Sequence, residues 1–257
     1  MATPPIRRVF ITGASSGLGR GMALHYAHEG AHIGLVARRA ELLAELAKEL
    51  GERGAKSEIY PGDVSDTAFM AESARAFTEA AGGVDLVFAN AGVGIANRTL
   101  EGESAEIAWL MGVNVIGVTN TVVPFVPAMV AQGSGVLCAV SSIAGHRALP
   151  GRAAYSASKQ CVTTFMEGLR QDLYGTGVHS MAVCPGFVDT PLTKDNPSMM
   201  FVIDVDEAVD CMSGAIEARK KTYSFPWQMN LMKELMVRLP ESWLRRISPP
   251  PRTRSMS

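Results

Sequence analysis

The chain has 257 residues, 47% of them apolar, and a formal net charge of −1, enough material for one well-packed domain. That charge excludes a general nucleic-acid binder, which normally presents a basic surface. The opening Met1 to Arg8 carries no long apolar core, so neither a signal segment nor a spanning helix is expected there, and a cytoplasmic protein is.

Four cysteines, Cys138, Cys161, Cys184 and Cys211, are widely separated and read as buried small hydrophobes rather than as a zinc or redox pair. The five histidines complete no ligand pattern, and no metal is expected.

In chain order, Arg8 to Ile11 forms a strand that runs into Thr12-Gly13-Ala14-Ser15-Ser16-Gly17-Leu18-Gly19 and then a helical pattern. Glycines between a strand and a helix permit a tight turn and close backbone approach to a diphosphate, and the helix end supplies N–H groups and positive dipole. The next strand, Ala31 to Ala37, ends in Arg38-Arg39, where a dinucleotide-binding sheet often has an acidic residue for the ribose. An Arg there accommodates a ribose phosphate and favours NADP(H), with NAD(H) as the alternative. The other reading is a solvated basic pair opening the next helix.

The chain then alternates: helix Ala40 to Arg53, strand Ser57 to Tyr60, helix Asp66 to Ala81, strand Val84 to Ala89. These are βα units. After the third strand, Asp63 beside Val64 either faces the adenine rim or caps its own turn. After the fourth, Asn90-Ala91-Gly92 lets backbone approach a cofactor, or is a turn that glycine permits. A long helical segment from about Ala105 to Gln132 carries Asn114 among apolar residues. A buried structural hydrogen bond and a catalytic role are both open for it. Pro124 and Pro127 predict a kink or break late in that segment.

Strand Gly135 to Val140 leads into Ser141-Ser142, and a hydroxyl at a strand's carboxyl end sits where doubly wound sheets bind ligands. Thirteen residues beyond Ser142, Tyr155 and Lys159 share one helix face. A phenol titrates near ~10, so acid–base work at neutral pH asks about 3 units, or about 4 kcal/mol, of its surroundings, and a nearby cation acts in that direction. Taken alone, the pair also fits a solvated helix edge. Strand Val178 to Cys184 is followed by Pro185-Gly186-Phe187-Val188-Asp189-Thr190.

With these motifs in this order, residues 6 to 226 resemble a one-domain short-chain dehydrogenase/reductase. The resemblance implies a Rossmann-type doubly wound α/β fold with about seven parallel strands and helices on both faces. It implies hydride transfer between a nicotinamide dinucleotide and a carbonyl/alcohol pair, with Asn114, Ser142, Tyr155 and Lys159 as the catalytic tetrad. Tyr155 would be the acid/base, Lys159 would hold the nicotinamide ribose and depress the phenol's pKa, Ser142 would bind the substrate oxygen, and Asn114 would organise a water linked to Lys159. The cofactor contacts implied are Gly13, Ser15, Ser16, Gly17, Leu18, Gly19, Arg38, Arg39, Asp63, Val64, Asn90, Ala91, Gly92, Pro185, Gly186, Val188 and Thr190, together with Tyr155 and Lys159. Ser141 is the decoy beside Ser142. A cofactor-sensing binding protein is the non-enzyme alternative.

The sequence departs from many relatives at Lys221 to Trp227, which lacks their Gly-rich ending. A homodimer through the helices of Asn114 and Tyr155 is therefore expected, and a tetramer is not. Residues 1–227 form the expected catalytic domain, and 228–257 its amphipathic basic extension. From Arg219 onward the chain holds nine Lys/Arg and two acidic residues, +7 against −8 for the rest. With its Trp, Leu and Met residues this end suits a membrane-surface helix, a lid, a partner interface or an ordinary packed C-terminal helix. Pocket walls are expected at Val93 to Arg98, Ile143 to Leu149 and Phe187 to Phe201, around a lipophilic ketone or alcohol.

Overall fold

The computed structural model describes residues 5–94, 104–148, 151–194 and 199–247. Seven strands, β1 (Arg8–Thr12), β2 (His32–Ala37), β3 (Lys56–Pro61), β4 (Leu86–Ala89), β5 (Gly135–Val140), β6 (Val178–Pro185) and β7 (Thr222–Phe225), form one sheet in the order β3-β2-β1-β4-β5-β6-β7. Every pairing is parallel. The expected doubly wound α/β sheet is present. The central strands are apolar runs because both of their faces are covered: every residue of β2 and β5 is buried. In β1, Val9 and Ile11 enter one core layer while Phe10 enters the other, as strand alternation requires. The edge strand β3 keeps Lys56 and Glu58 outward, in contact as an ion pair, which discourages pairing with another chain.

Helices α1 (Gly17–His25), α2 (Ala40–Glu52) and α3 (Thr67–Ala81) connect the first four strands. Asp66 is the N-cap of α3, its carboxylate accepting the Phe69 N–H, so that helix begins one residue later than expected. Instead of one uniform helix, the segment after β4 is a column of α4 (Ala105–Met111), a π-helical turn (Gly112–Ile116), α5 (Gly117–Val122), a 3₁₀ turn (Val123–Phe125) and α6 (Val126–Gln132). The 3₁₀ turn lies at Pro124, where an amide hydrogen is missing. The π turn contains Asn114, and such single turns recur at functional sites.

Then come α7 (Ala153–Asp172), α8 (Val205–Glu217), α9 (Trp227–Arg238) and α10 (Glu241–Ile247). Through Leu239, the basic end folds back on the body. Met229 of α9 is buried, and a Cβ added to Gly186 would stand 2.8 Å from it. The Arg147 guanidinium donates to the Leu239 carbonyl at 3.2 Å. Trp227, Leu231, Leu235 and Trp243 stay exposed.

Candidate active site

The strand order reverses between β1 and β4, and the crevice outside the carboxyl ends at such a switch point is where doubly wound sheets bind ligands. Asn90 ties the two strand ends together. Its amide donates to the Thr12 and Gly13 carbonyls, while Thr12 Oγ1 accepts the Asn90 and Ala91 N–H groups.

The turn between β1 and α1 works as its glycines suggest. Gly17 has φ +52°, and a Cβ on Gly19 would lie 2.3 Å from the Gly13 carbonyl oxygen. Helix α1 therefore packs against the turn at a distance that only glycine permits. The Arg39 guanidinium donates to the Ser15 and Ser16 hydroxyls at 2.9 and 3.2 Å, so Arg39 lies over this turn. Arg38 is exposed at the rim, near Asp63.

Both readings of Asp63 meet in the structure. Its Oδ1 accepts from the Ser65 amide and hydroxyl, closing the turn, and the residue also lines the cleft. These hydrogen bonds, then the Arg38 charge, hold its carboxyl below the ordinary carboxylate pKa despite some burial.

A cleft of about 290 Å³ runs from this turn past Asn90, Ala91 and Gly92 to Ser142, Tyr155 and Lys159, and is closed by Pro185, Gly186, Val188 and Thr190. Its glycine turn at the positive end of α1 suits a diphosphate. Cleft-lining Ala37, Val113 and Val140 were not singled out as site residues from the sequence, since small or apolar types carry no signal of their own; Leu192 and Thr193 fall within the expected wall Phe187 to Phe201.

Helix α7 presents Tyr155 and Lys159 to the cleft one turn apart, with Lys159 Nζ 5.8 Å from the Tyr155 ring centre. Lys159 is 4% exposed and donates to the Val140 carbonyl at 3.0 Å. Burial pushes its pKa down to about 8. The phenol departs from expectation: burial raises its pKa, and the groups that pull it back are Ser142, by hydrogen bonding, and Arg152. Lys159 is not among them. Desolvation inside the cleft outweighs the neighbouring polar groups.

Ser141 and Ser142 separate cleanly. Ser141 is buried, donates to the Lys159 carbonyl at 2.7 Å and pairs with Thr163 Oγ1 at 2.8 Å. It anchors α7 to β5. Ser142 lines the cleft and its Oγ accepts the Ala144 N–H at 3.2 Å.

Asn114 is fully buried. Its Oδ1 accepts the Val93 N–H at 2.8 Å, and its Nδ2 donates to the Val93 carbonyl at 3.0 Å and to Ser158 Oγ at 3.1 Å. Of its two readings, the structural hydrogen bond is the one seen. It still borders the site, because a Cβ on Gly92 would lie 3.3 Å from Lys159 Nζ and 3.4 Å from Asn114 Oδ1. Ser158, the partner on α7, was not anticipated; a Ser between Tyr and Lys in sequence gives no hint of facing another helix. Of the expected pocket walls, 95–98, Leu149 and 195–198 lie outside the described residues.

A family model described as short chain dehydrogenase matches residues 7–200. The chain belongs to the short-chain dehydrogenase/reductase family. An uncharacterized oxidoreductase of Myxococcus xanthus is 40% identical over 241 residues, covering 93% of this chain and 95% of that protein. Among solved structures, a short-chain dehydrogenase/reductase from Burkholderia phymatum in complex with NAD superposes with a TM-score of 0.83 at 27% identity, covering 98% of this chain and 99% of that one. An alcohol dehydrogenase from the archaeon Thermococcus sibiricus, complexed with 5-hydroxy-NADP, gives 0.77 at 26% identity, covering 86% and 95%. This short-chain dehydrogenase is thus an oxidoreductase by family, with the motifs of its sequence gathered along one cleft.

Proposed function

We propose that the protein is an NADP(H)-dependent oxidoreductase that interconverts a carbonyl and a secondary alcohol, with Tyr155 as the acid/base. The observation that carries this reading is the convergence of Ser142, Tyr155 and Lys159 on the far end of a cleft whose near end is the glycine turn. The nicotinamide, when bound, supplies or accepts the hydride.

Negative charge develops on a carbonyl oxygen as hydride reaches its carbon, so the oxygen needs a hydrogen bond and then a proton. Ser142 supplies the bond and Tyr155 the proton. Burial keeps the phenol protonated, which suits it to donate in the reducing direction. Lys159, which donates to the Val140 carbonyl, would hold the nicotinamide ribose. Asn114 positions the Val93 backbone and α7 around them.

Arg38 at the rim, with Arg39 above the turn, supports NADP(H) through the extra phosphate. NAD(H) is the second reading, favoured by the NAD complex of the Burkholderia phymatum neighbour. A lipophilic substrate is supported by Leu192, Met200, Phe201 and Val202, all exposed on the segment after Thr190. A homodimer is supported by Trp109, Ile116, Val123 and Val130, large apolar side chains left exposed at intervals of seven along the Asn114 column.

The test is Tyr155→Phe, assayed with a panel of steroid-like and long-chain carbonyls. Turnover should fall about a hundredfold or more while dinucleotide affinity is retained. Unchanged turnover would remove Tyr155 from the chemistry. Dinucleotide binding without turnover on any carbonyl or alcohol, in the wild type, would favour the sensing protein.

A further inference from the structure

Helix α9 has two unlike sides. Met229 is buried and the Lys233 side chain is only 14% exposed, which fixes the side that meets the body. The other side carries Trp227, Leu231 and Leu235, which are 72%, 65% and 62% exposed. Residues four apart lie one above another on a helix, so these three form a single apolar stripe in solvent. Trp243 is exposed on α10 as well. Isolated apolar side chains are common on protein surfaces, but a contiguous row of large ones marks a contact surface.

The surroundings of the stripe are basic. Arg238, in register with Leu231 two turns earlier, is exposed, and so is Arg246 on α10. Glu234, beside the stripe, is paired with Lys233 at 3.1 Å and with Arg238 at 3.4 Å, so its charge is balanced locally. From Arg219 onward the sequence holds nine Lys/Arg and two acidic residues, while the rest of the chain sums to −8.

Composition and charge decide what covers the stripe. Residues 248–257 contain no Leu, Ile, Val, Phe or Trp, so the end of the chain is unsuited to cover it. A second copy would set one basic end against another, where like charges repel. An anionic bilayer surface matches both features, because Trp and Leu enter the headgroup boundary while Arg stays among the phosphates.

We propose that α9 and α10 dock the protein on an anionic lipid surface, with Trp227, Leu231 and Leu235 in the headgroup boundary and Arg238 and Arg246 on the headgroups. The inner side of α9 adjoins the cleft: a Cβ on Gly186, which lines the cleft, would stand 2.8 Å from Met229. Docking therefore sets the Gly186 end of the cleft beside the bilayer.

Cosedimentation of the full-length protein with vesicles tests the surface, using phosphatidylcholine alone and phosphatidylcholine with about a third phosphatidylglycerol. Saturable binding to the anionic vesicles is expected, with a blue shift of tryptophan emission and weakening at high salt. The double variant Leu231→Gln, Leu235→Gln should lower the partition constant at least about tenfold through lost apolar burial. Arg238→Gln with Arg246→Gln should lower it about tenfold through lost attraction to the anionic lipid. All four side chains are exposed, so both variants should keep the wild-type melting temperature and NADPH affinity. No binding to anionic vesicles, equal binding to both kinds, or unchanged binding in either variant would overturn the proposal. So would a wild-type oligomer that the leucine pair dissociates in light scattering without lipid, which would give the stripe to a second copy.

Discussion

Replacing Lys159 by Met should make the protein more stable at neutral pH and less stable at high pH. The ammonium is 4% exposed and has one hydrogen bond, to the Val140 carbonyl. Its pKa falls from 10.5 to about 8 because of burial, which at about 1.36 kcal/mol per pH unit is a charging penalty of about 3 kcal/mol. The folded chain binds fewer protons than the unfolded chain between pH 8 and 10.5, so this residue's contribution to stability rises with pH across that window. The penalty is fully present below pH 8 and gone above 10.5. Methionine removes the charge and is an unbranched chain one atom shorter, at the loss of a hydrogen bond of about 1–2 kcal/mol. The variant should therefore lead by about 1–2 kcal/mol at pH 7 and trail by a similar amount above pH 10.5. Urea unfolding of both proteins at a series of pH values from 7 to 10.5 measures the difference, in which other titrating groups cancel. A constant offset with no crossing would refute the argument that burial controls Lys159.

Ser141→Ala should cost about 1–2 kcal/mol of stability, because its hydroxyl joins α7 to β5. Ser142→Ala should leave the unfolding midpoint nearly unchanged and lower turnover; the reverse pattern in paired urea and activity measurements would exchange the two roles. Light scattering should find a dimer in the wild type and a monomer in the double variant Ile116→Lys, Val123→Lys, since these side chains are exposed along the Asn114 column. A wild-type monomer would place no copy on that face.

Six strands are legible near their observed bounds because most are short apolar runs separated by helical patterns; β7 (Thr222–Phe225), a short, half-exposed edge strand, is not marked by the sequence, and the count of seven comes from the family resemblance. The glycine turn was legible for a similar reason: few residues other than glycine fit a φ of +52° or a 2.3 Å approach. The π turn at Asn114 was not, because inserting one residue into a helical turn barely disturbs an apolar pattern. Nor did sequence spacing reveal what the Asn114 amide holds, since Val93 and Ser158 come from different parts of the chain. The direction of the Tyr155 shift in the chain alone is likewise not legible from spacing. A cation at helical spacing is visible in the sequence, but burial is a property of the assembled cleft, and it is the larger effect. Arg38 was singled out by its place after β2, whereas the side chain that reaches the glycine turn belongs to Arg39. Adjacent residues at a strand end point in opposite directions, and their reach depends on the loop they meet.

The central claim, a cleft for a nicotinamide dinucleotide with Arg38 selecting the phosphorylated form, is tested most directly by titrating wild type and Arg38→Asp with NADPH and NADH at one ionic strength, followed by nicotinamide fluorescence. The account predicts tighter binding of NADPH in the wild type and loss of that preference in Arg38→Asp. Equal or NADH-favoured binding in the wild type would contradict the NADP(H) assignment, and binding of neither would contradict the dinucleotide site itself.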